Sequence, residues 1–565
     1  MRKKAKLLTL AVLVLGISWS LAGFRSQKLL QNSILLIEIA GEVPETVPYN
    51  PLWGFFEPPP ITLLDKVMLL RKARVDKKVK AVVVAIRDNS LGFGKVEELR
   101  QAILSYRKSG KPAVCYLELE GDADLSYYLA GACDRIYLAP ASFMNLNGLD
   151  STYYFLGGFF NKLKVKVQVA KVREYKTFGD MLAGREMSPW HREMAESILN
   201  DLFSQYLSGV AQARNKSQEQ IQELVNQYLV LPEKYFGAGL IDGVKYLDEI
   251  LKELAPKEEL RLVKEREYLS YPAKYLGINT GPKVAVVFGV GSIVNREPGN
   301  QPFTASIMSA ERMVKELERL AEDDSVKAVI FRIDSGGGSA LASDLIWRAT
   351  QKLRQKKPLV VSMSDVAGSG GYYIACGADK IVAQPGTLTG SIGVVTAHFG
   401  LEELLEWLNL GVENLKRGEY ADFDRLNHSW SPAEQGKAQQ TVEGLYQLFL
   451  ERVHQGRGLD KGEIDRIARG RVWTGRQAKE LGLVDELGGF DKAVELVKEM
   501  LGVKEVRLVY KKKRVSFWKL LFGRAQDEFM EMILGKSIRD LKKIRQAGLF
   551  SEGENLFLSP EIEVR

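Results

Sequence analysis

Hydrophobic and polar positions alternate in blocks along the chain, and the clearest block lies near its centre. The short apolar run KAVIFRI at 327–333 is typical of a buried strand. A glycine-rich turn follows, then a helical stretch near 340–356 and a second apolar run, PLVVSMS, at 358–364. This order of strand, turn, helix and strand predicts an α/β fold with a largely parallel sheet covered by helices.

A different periodicity marks the segment NKLKVKVQVAKVR at 161–173. Val165, Val167 and Val169 alternate there with polar neighbours, which predicts a half-buried strand. This strand leads directly to Lys176, a residue that the chemistry below singles out.

The block pattern occurs twice, because three segments recur in the same order with a nearly constant spacing. The offsets are 245, 245 and 247 residues, for the pairs YYLAGACDRIYLAP (127–140) and YYIACGADKIVAQP (372–385), REYKTFGDML (173–182) and GEYADFDRLN (418–427), and DKKVKAVVVAI (76–86) and DDSVKAVIFRI (323–333). The chain is therefore expected to hold two tandem copies of one domain, over 28–275 and 276–502.

The N-terminal segment has a basic start followed by an apolar span. Arg2, Lys3, Lys4 and Lys6 precede 17 uncharged residues at 7–23, which is at the short edge of what crosses a bilayer as a helix. We interpret residues 1–27 as a retained signal anchor. A cleaved signal peptide is the alternative, because SLA supplies small residues before a possible cleavage point. In both cases the basic end stays in the cytoplasm and the rest of the chain is exported.

The segment 503–565 lies beyond the repeat. Within it, VYKKKRVSFWKLLFG at 509–523 places four basic residues before an aromatic and aliphatic run. This pattern suits a membrane-surface contact or an ordinary packing helix equally well. The closing SEGENLFLSPEIEVR suits a flexible tail or an added strand.

Composition narrows the possible partners. The 79 basic and 71 acidic residues give a net charge of +8, which is mild for 565 residues and compatible with an anionic membrane surface. The excess is too diffuse to indicate nucleic-acid binding, and no motif for it is present. The three cysteines form no CxxC pair and lie in apolar surroundings, so we expect buried thiols rather than a disulfide or a zinc site.

The stretch DVAGSGGYY at 365–373 has the features of a nucleophile turn. Ser369 precedes Gly370 and Gly371, which let the backbone pass close to a substrate. A helix starting there points unpaired N–H groups at the site, so the Gly370 amide is a candidate oxyanion donor. The glycine-rich turn DSGGGS offers a second donor through Gly337.

The repeat indicates where the base for this serine comes from. Ser369 aligns with Asp124 in the first copy, whereas Lys176 aligns with Ala421 in the second. Each copy keeps one member, as expected of a catalytic pair divided between duplicated domains. A free lysine has a pKa of about 10.4, so lowering it toward neutrality requires roughly 3–4 kcal/mol of desolvation in an apolar site. Asp180 opposes this by raising that pKa if a helix turns it toward the amine.

These motifs resemble those of peptidase family S49, in its long duplicated form. SGG at 369–371 resembles the nucleophile motif, YKT at 175–177 the lysine motif, and TGSIGV at 389–394 a downstream motif whose serine is Ser391. The resemblance covers about 30–502 together with the anchor. Two departures are visible: Gly336 stands where the family more often has proline, and threonine replaces serine in the lysine motif.

The resemblance implies a ClpP/crotonase-like βα-spiral fold in each copy. It implies a serine endopeptidase in which Ser369 is the nucleophile, Lys176 the general base and acid, and Ser391 the residue that orients the lysine. Gly370 and Gly337 are expected to form the oxyanion hole, with no metal or organic cofactor. It further implies a homotetramer on the outer face of the cytoplasmic membrane that degrades signal peptides left after export.

Two rival interpretations remain open on the sequence. A crotonase-like enzyme would use a similar glycine-lined oxyanion hole on an acyl-CoA thioester, but the anchor and Lys176 argue against it. An inactive scaffold would only bind peptides or partners, and the presence of Ser369, Lys176 and Ser391 argues against that. His398 follows the TGSIGV motif, yet no serine–histidine–aspartate order surrounds it.

Overall fold

The computed structural model describes residues 32–47, 58–255, 261–297 and 307–510, and the backbone of 556–558. The predicted anchor and nearly all of the basic and aromatic segment after 509 lie outside the described residues. Among the helices of the described part, none is long and apolar enough to cross a membrane.

Strands and helices alternate through both copies. The strands are β1 (Ser33–Gly41), β2 (Val79–Asn89), β3 (Ala113–Glu118), β4 (Glu120–Asp122), β5 (Arg135–Leu138), β6 (Phe143–Asn145), β7 (Lys166–Lys171), β8 (Gly243–Val244), β9 (Arg261–Lys264), β10 (Lys283–Val290), β11 (Ser292–Val294), β12 (Ile307–Ser309), β13 (Val326–Ser335), β14 (Gly337–Ser339), β15 (Leu359–Gly368), β16 (Lys380–Ala383), β17 (Leu388–Gly390), β18 (Val395–Gly400), β19 (Val472–Thr474), β20 (Glu486–Leu487), β21 (Arg507–Val509) and β22 (Leu556–Leu558). The helices are α1 (Leu63–Val75), α2 (Phe93–Arg107), α3 (Asp124–Ala130), α4 (Gly157–Lys162), α5 (Phe178–Ala183), α6 (Pro189–Arg214), α7 (Gln218–Asn226), α8 (Pro232–Gly237), α9 (Leu247–Leu254), α10 (Glu265–Ser270), a 3₁₀ turn (Ala273–Leu276), α11 (Ala310–Glu322), α12 (Ala340–Arg354), α13 (Gly370–Ala375), α14 (Glu402–Trp407), α15 (Pro432–Arg457), α16 (Lys461–Ile467), α17 (Gly475–Glu480) and α18 (Phe490–Leu501).

Each copy builds its own largely parallel sheet, as the apolar runs predict. The first sheet has the order β8-β5-β3-β2-β1-β9. The second has the order β19-β17-β15-β13-β10-β21, in which β19 is antiparallel to β17. Strand β16 also pairs with β15, and β20 pairs with β16. The predicted strands at 327–333 and 358–364 are β13 and β15, and they pair in parallel. Both strands are buried along most of their length, because helices cover both faces of such a sheet.

The duplication is also visible in the long helices that follow the candidate lysine segment and its counterpart. Helices α6 and α15 each have 26 residues and a proline in the first turn. Ser188 caps the first and Ser431 the second, and each ends at a left-handed residue, Asn215 and Gly458 respectively. The two copies therefore share the residue types that begin and end these helices, as well as the order of their strands.

A third sheet joins the two copies, with the order β12-β11-β14-β22-β18-β7. Strand β7 belongs to the first copy and pairs antiparallel with β18 of the second, from Lys171↔Val395 to Lys166↔Gly400. It is the strand that the alternation at 161–173 predicts. Because β7 crosses into the sheet of the other copy, the residues that follow it are delivered to the second domain.

Two smaller expectations are also settled within the described residues. All three cysteines are free and buried, as the apolar surroundings predict. Of the two alternatives for the closing segment, the structure has the added strand, since residues 556–558 form β22.

Candidate active site

Ser369 lies between the end of β15 and the start of α13. Its backbone has φ +53° and ψ −114°, a region that non-glycine residues rarely occupy. Two hydrogen bonds hold it there: its N–H donates to the Gly390 carbonyl at 2.8 Å, and its carbonyl accepts from the Tyr373 N–H at 2.8 Å. Such strain costs about 1–3 kcal/mol and is concentrated at functional sites. The side chain is fully buried.

Glycines around Ser369 are required by close backbone approach. A Cβ on Gly370 would lie 2.6 Å from the Ser343 hydroxyl oxygen and 3.2 Å from the Cα of Gly337. A Cβ on Gly371 would lie 2.6 Å from the Ser335 carbonyl oxygen. The serine turn therefore packs directly on the glycine-rich turn that precedes and forms β14.

Lys176 lies in the loop between β7 and α5 and is fully buried. Its Nζ lies 2.8 Å from Ser369 Oγ. The same nitrogen lies 3.0 Å from Ser391 Oγ and 3.0 Å from the Ser391 carbonyl oxygen. Three residues that the sequence singles out separately thus meet at one nitrogen atom.

Burial lowers the pKa of the Lys176 amine well below its ordinary value, because the charged form loses its hydration. The expected opposition from Asp180 is absent from this arrangement. Asp180 is turned to Lys171, whose Nζ lies 2.6 and 2.7 Å from its two carboxylate oxygens. The sequence could not decide this, because its spacing does not show which lysine the Asp180 carboxylate faces.

A segment of the second copy, which the sequence reasoning missed, holds the lysine loop. Gly470 has φ +87°, and a Cβ there would lie 2.4 Å from the Lys176 backbone nitrogen and 2.6 Å from its Cα. The neighbouring Arg469 carbonyl accepts from the Tyr175 N–H at 3.2 Å, and the Arg471 carbonyl accepts from the Ser391 N–H at 2.7 Å. We call residues 469–471 the lysine seat. A lone glycine in ARGR carries no sequence signal for this role.

The two candidate oxyanion donors lie side by side but differ in their present bonding. Gly370 is the first residue of α13, where an N–H has no partner within the helix. The Gly337 N–H donates to Ser335 Oγ at 3.2 Å. It would have to exchange that acceptor for a substrate oxygen.

Strand β22 lies along β14, next to the glycine-rich turn. The two strands are antiparallel, with Leu558 opposite Gly337 and Leu556 opposite Ser339. On its other side, Leu556 is opposite Val395 of β18. The edge of β14 beside Ser369 therefore accepts an extended chain.

The positions that align with Ser369 and Lys176 in the opposite copy hold neither a serine nor a lysine. Asp124, which aligns with Ser369, is buried and accepts from the Asn147 and Gly148 N–H groups at 3.1 and 3.3 Å. Ala421, which aligns with Lys176, is exposed. Neither position offers a hydroxyl or an amine, so among these aligned positions of the described residues only Ser369 and Lys176 form a serine–lysine pair.

His398 is held by structural contacts. Its Nε2 lies 2.7 Å from the His428 carbonyl oxygen. Its ring stacks on Trp430 with centroids 4.8 Å apart. Both contacts belong to the packing of β18 against the loop that precedes α15.

Comparison with known proteins identifies the family of the chain. The model of peptidase family S49 matches residues 105–261 and 351–504, one stretch in each copy. The chain is 36% identical over 448 residues to "Serine protease SPPA, chloroplastic" of Arabidopsis thaliana, covering 78% of this chain and 66% of that protein. It is 29% identical over 519 residues to "Protease 4" of Haemophilus influenzae, covering 87% of this chain and 83% of that protein. It is 30% identical over 470 residues to "Protease 4" of Salmonella typhi, with 80% and 74% covered. The chain is a member of peptidase family S49, a serine peptidase with two copies of the family's domain.

Proposed function

We propose that this peptidase uses a Ser369–Lys176 dyad to cleave peptide bonds through an acyl-enzyme. The observation that carries the proposal is the 2.8 Å approach of the Lys176 amine to the Ser369 hydroxyl. A neutral amine has one lone pair and two N–H groups. It can accept the Ser369 proton while it donates to the hydroxyl and carbonyl oxygens of Ser391. Its burial and lowered pKa support the neutral form.

In the acylation step, Lys176 takes the proton of Ser369 as Oγ attacks the substrate carbonyl carbon. The C=O electron pair moves to oxygen, and the amides of Gly370 and Gly337 stabilise the resulting oxyanion. Loss of one such donor typically lowers the rate by about 10²–10³-fold. The C–N bond then breaks, the lysinium protonates the leaving amine, and an ester remains on Ser369.

In the deacylation step, water replaces the leaving amine. Lys176 takes one proton from this water as its oxygen attacks the ester carbonyl. When the C–O bond to Ser369 breaks, the lysinium returns the proton to Oγ. The step releases a peptide with a free carboxyl end and regenerates the neutral amine.

The pairing of β22 supports an extended peptide as substrate. A strand added along β14 forms main-chain hydrogen bonds that do not depend on side-chain identity. The added strand also runs past the glycine-rich turn, where the scissile carbonyl has to lie. The names of the relatives, which describe proteases, agree with this substrate class.

The proposal extends to location and assembly. We propose that residues 1–27 anchor the chain in the cytoplasmic membrane, with the catalytic domains on the extracytoplasmic side. Support comes from the basic start and the uncharged span at 7–23. We further propose a homotetramer acting on signal peptides left after export, which rests on the family resemblance.

The test is hydrolysis of an apolar peptide, with labelling by a serine-directed acylating probe. Ser369→Ala and Lys176→Ala are each expected to abolish hydrolysis and labelling while the fold remains intact by circular dichroism. Labelling also distinguishes a peptidase from an acyl-CoA enzyme or a peptide-binding scaffold, since neither uses a nucleophilic serine. Hydrolysis that survives in Lys176→Ala would identify another base.

The pH dependence provides a second measurement. Only the neutral amine accepts a proton, so kcat/KM is expected to rise with pH through the lowered pKa of Lys176. A profile that is flat from about pH 5 to 9 contradicts a lysine base.

A further inference from the structure

The N-terminus of α2, in the first copy, lies directly against β15 of the second copy, a few residues before the catalytic serine. A Cβ on Gly92 would lie 2.5 Å from Cγ of Asp365, and a Cβ on Gly94 would lie 2.7 Å from the Ser364 carbonyl oxygen. Side chains at these two positions would push the elements apart. The two glycines thus allow a contact between the copies at backbone distance.

Lys95, between these elements, bridges two aspartates of the second copy. Its Nζ lies 2.9 Å from Asp334 Oδ2 and 3.3 Å from Asp365 Oδ2. Its backbone N–H donates to Asp365 Oδ1 at 2.7 Å. Asp334 Oδ1 in turn accepts from the Val366 N–H at 3.2 Å. One side chain of the first copy is therefore bonded to the ends of both β13 and β15.

The bridge lies where the two strands lose their regular pairing. The register of β13 and β15 shifts between the pairs Ile333↔Met363 and Ser335↔Ala367, so the strands are held there by side chains. Asp334 directly precedes Ser335, whose hydroxyl accepts from the Gly337 N–H. Beyond this irregularity, β13 leads to the glycine-rich turn and β15 leads to Ser369.

The acidic side chains at this irregularity require a nearby positive charge, and Lys95 supplies one. Burial raises the pKa of Asp334 to about 6, while the Lys95 ammonium opposes the rise. Asp365 and the buried Glu45 add like charge around it. Glu45 has its own partner, because Arg332 Nη2 lies 2.9 Å from its Oε1. Arg332 also attracts Asp334, but Lys95 is the cation that is bonded to both Asp334 and Asp365.

We propose that Lys95 is a positioning residue for the peptidase reaction: it clamps the ends of β13 and β15 so that the glycine-rich turn and Ser369 keep their relative position. The inference rests on the proposed dyad for its kinetic consequence. Without the cation, the bridge between the strand ends is lost, and Asp334 and Asp365 must either share a proton or move apart. In both cases the strand ends lose the contact that fixes the oxyanion donors relative to the attacked carbonyl. A displacement of about 1 Å at a reacting centre costs roughly 10²-fold in rate.

The test compares three variants of the full chain. Lys95→Met removes the cation at similar length, and kcat is expected to fall about 100-fold with KM changed less than about threefold. Lys95→Met combined with Asp334→Asn removes the repulsion as well, and at least tenfold of kcat should return. Lys66→Met is the matched control, because it also breaks a buried ion pair of the first copy, 2.6 Å from Glu265.

Amide hydrogen exchange provides the readout that is independent of hydrolysis. In Lys95→Met, faster exchange is expected in 333–339 and 364–371 and not in the rest of the second sheet. The double variant should restore protection there. If the wild type hydrolyses no peptide, the proposed function fails, while exchange in these two segments still decides the role of Lys95.

Any one of three results would overturn the inference. The first is a kcat of Lys95→Met within threefold of the wild type, and the second is an equal loss of kcat in Lys66→Met. The third is unchanged amide exchange of Lys95→Met in both 333–339 and 364–371. If Lys95→Met does not fold, the variant that combines Lys95→Met with Asp334→Asn is tested instead. A 100-fold loss of kcat in this double variant, with the exchange pattern of the wild type, would also refute the clamp.

Discussion

Gly470→Ala is the sharpest test of how the second copy holds the lysine of the first. The new Cβ would lie 2.4 Å from the Lys176 backbone nitrogen, whereas ordinary contact begins at 3.4 Å. The lysine loop therefore has to retreat by about 1 Å, which takes the amine beyond hydrogen-bond distance of Ser369 Oγ. A misplacement of this size lowers kcat by roughly 10²-fold, or about 2.7 kcal/mol in the barrier.

The substitution also has a backbone cost that must be separated from the steric effect. Gly470 has φ +87°, and a side chain in that conformation costs about 1–2 kcal/mol of stability. Gly458→Ala is the matched control: Gly458 has φ +70° and no atom within 4 Å of an added Cβ. Both variants should lose similar stability from the backbone term, and only Gly470→Ala should lose activity.

The assay measures kcat on an apolar peptide, the labelling rate of Ser369, and urea unfolding of both variants. Labelling is expected to slow in parallel with kcat, because both steps need the same proton transfer. A kcat of Gly470→Ala within threefold of the wild type would refute the reasoning. So would an equal kcat loss in Gly458→Ala, since that variant leaves the lysine seat untouched.

Three further outcomes follow from the same site. Lys176→Met should be inactive yet more stable at pH 7 by about 1–4 kcal/mol, because it replaces a buried amine with an apolar side chain. The unfolded chain binds a proton at Lys176 that the folded chain lacks, so the free energy of unfolding of the wild type rises with pH toward about 10. The difference in this free energy between Lys176→Met and the wild type, measured by urea unfolding, should therefore narrow between about pH 7 and 9.5. Ser391→Ala removes one of the two Ser391 oxygens that accept from the Lys176 amine, while the backbone carbonyl remains. We expect kcat to fall about tenfold. Full activity would argue against a role of the Ser391 hydroxyl in orienting the amine. Deleting 555–565 removes β22 from β14, so KM for a peptide should fall with kcat retained, whereas an unchanged KM would show that the strand does not compete with substrate.

Much of the fold could be predicted from local patterns. The strands at 327–333 and 358–364 are readable because a doubly covered parallel strand is a continuous apolar run. The strand at 161–173 is readable from its alternation of period two. The repeat spacing then identifies Asp124 and Ala421 as the positions where each copy lacks a catalytic candidate. All of these features reside in contiguous residues, where short-range geometry determines the pattern.

The site itself depended on contacts between the copies. Lys176 and Ser369 are 193 residues apart, and their 2.8 Å approach follows from the crossing of β7 into the sheet of the second copy. The turn of Asp180 toward Lys171 and the support from Gly470 follow from side-chain packing that no local period encodes.

By itself, the sequence determined that the chain is a duplicated α/β protein in which one half holds Ser369 and the other holds Lys176. Only the tertiary structure decided that Ser369 and Lys176 meet in a buried site, which segment supports the lysine, and how Lys95 bridges the strands before the turns at Gly337 and Ser369. The physical reason is that a periodic pattern lies within contiguous residues, and a repeat is found by aligning the chain with itself. Distance, desolvation and partner choice arise only when distant segments pack together and exclude water.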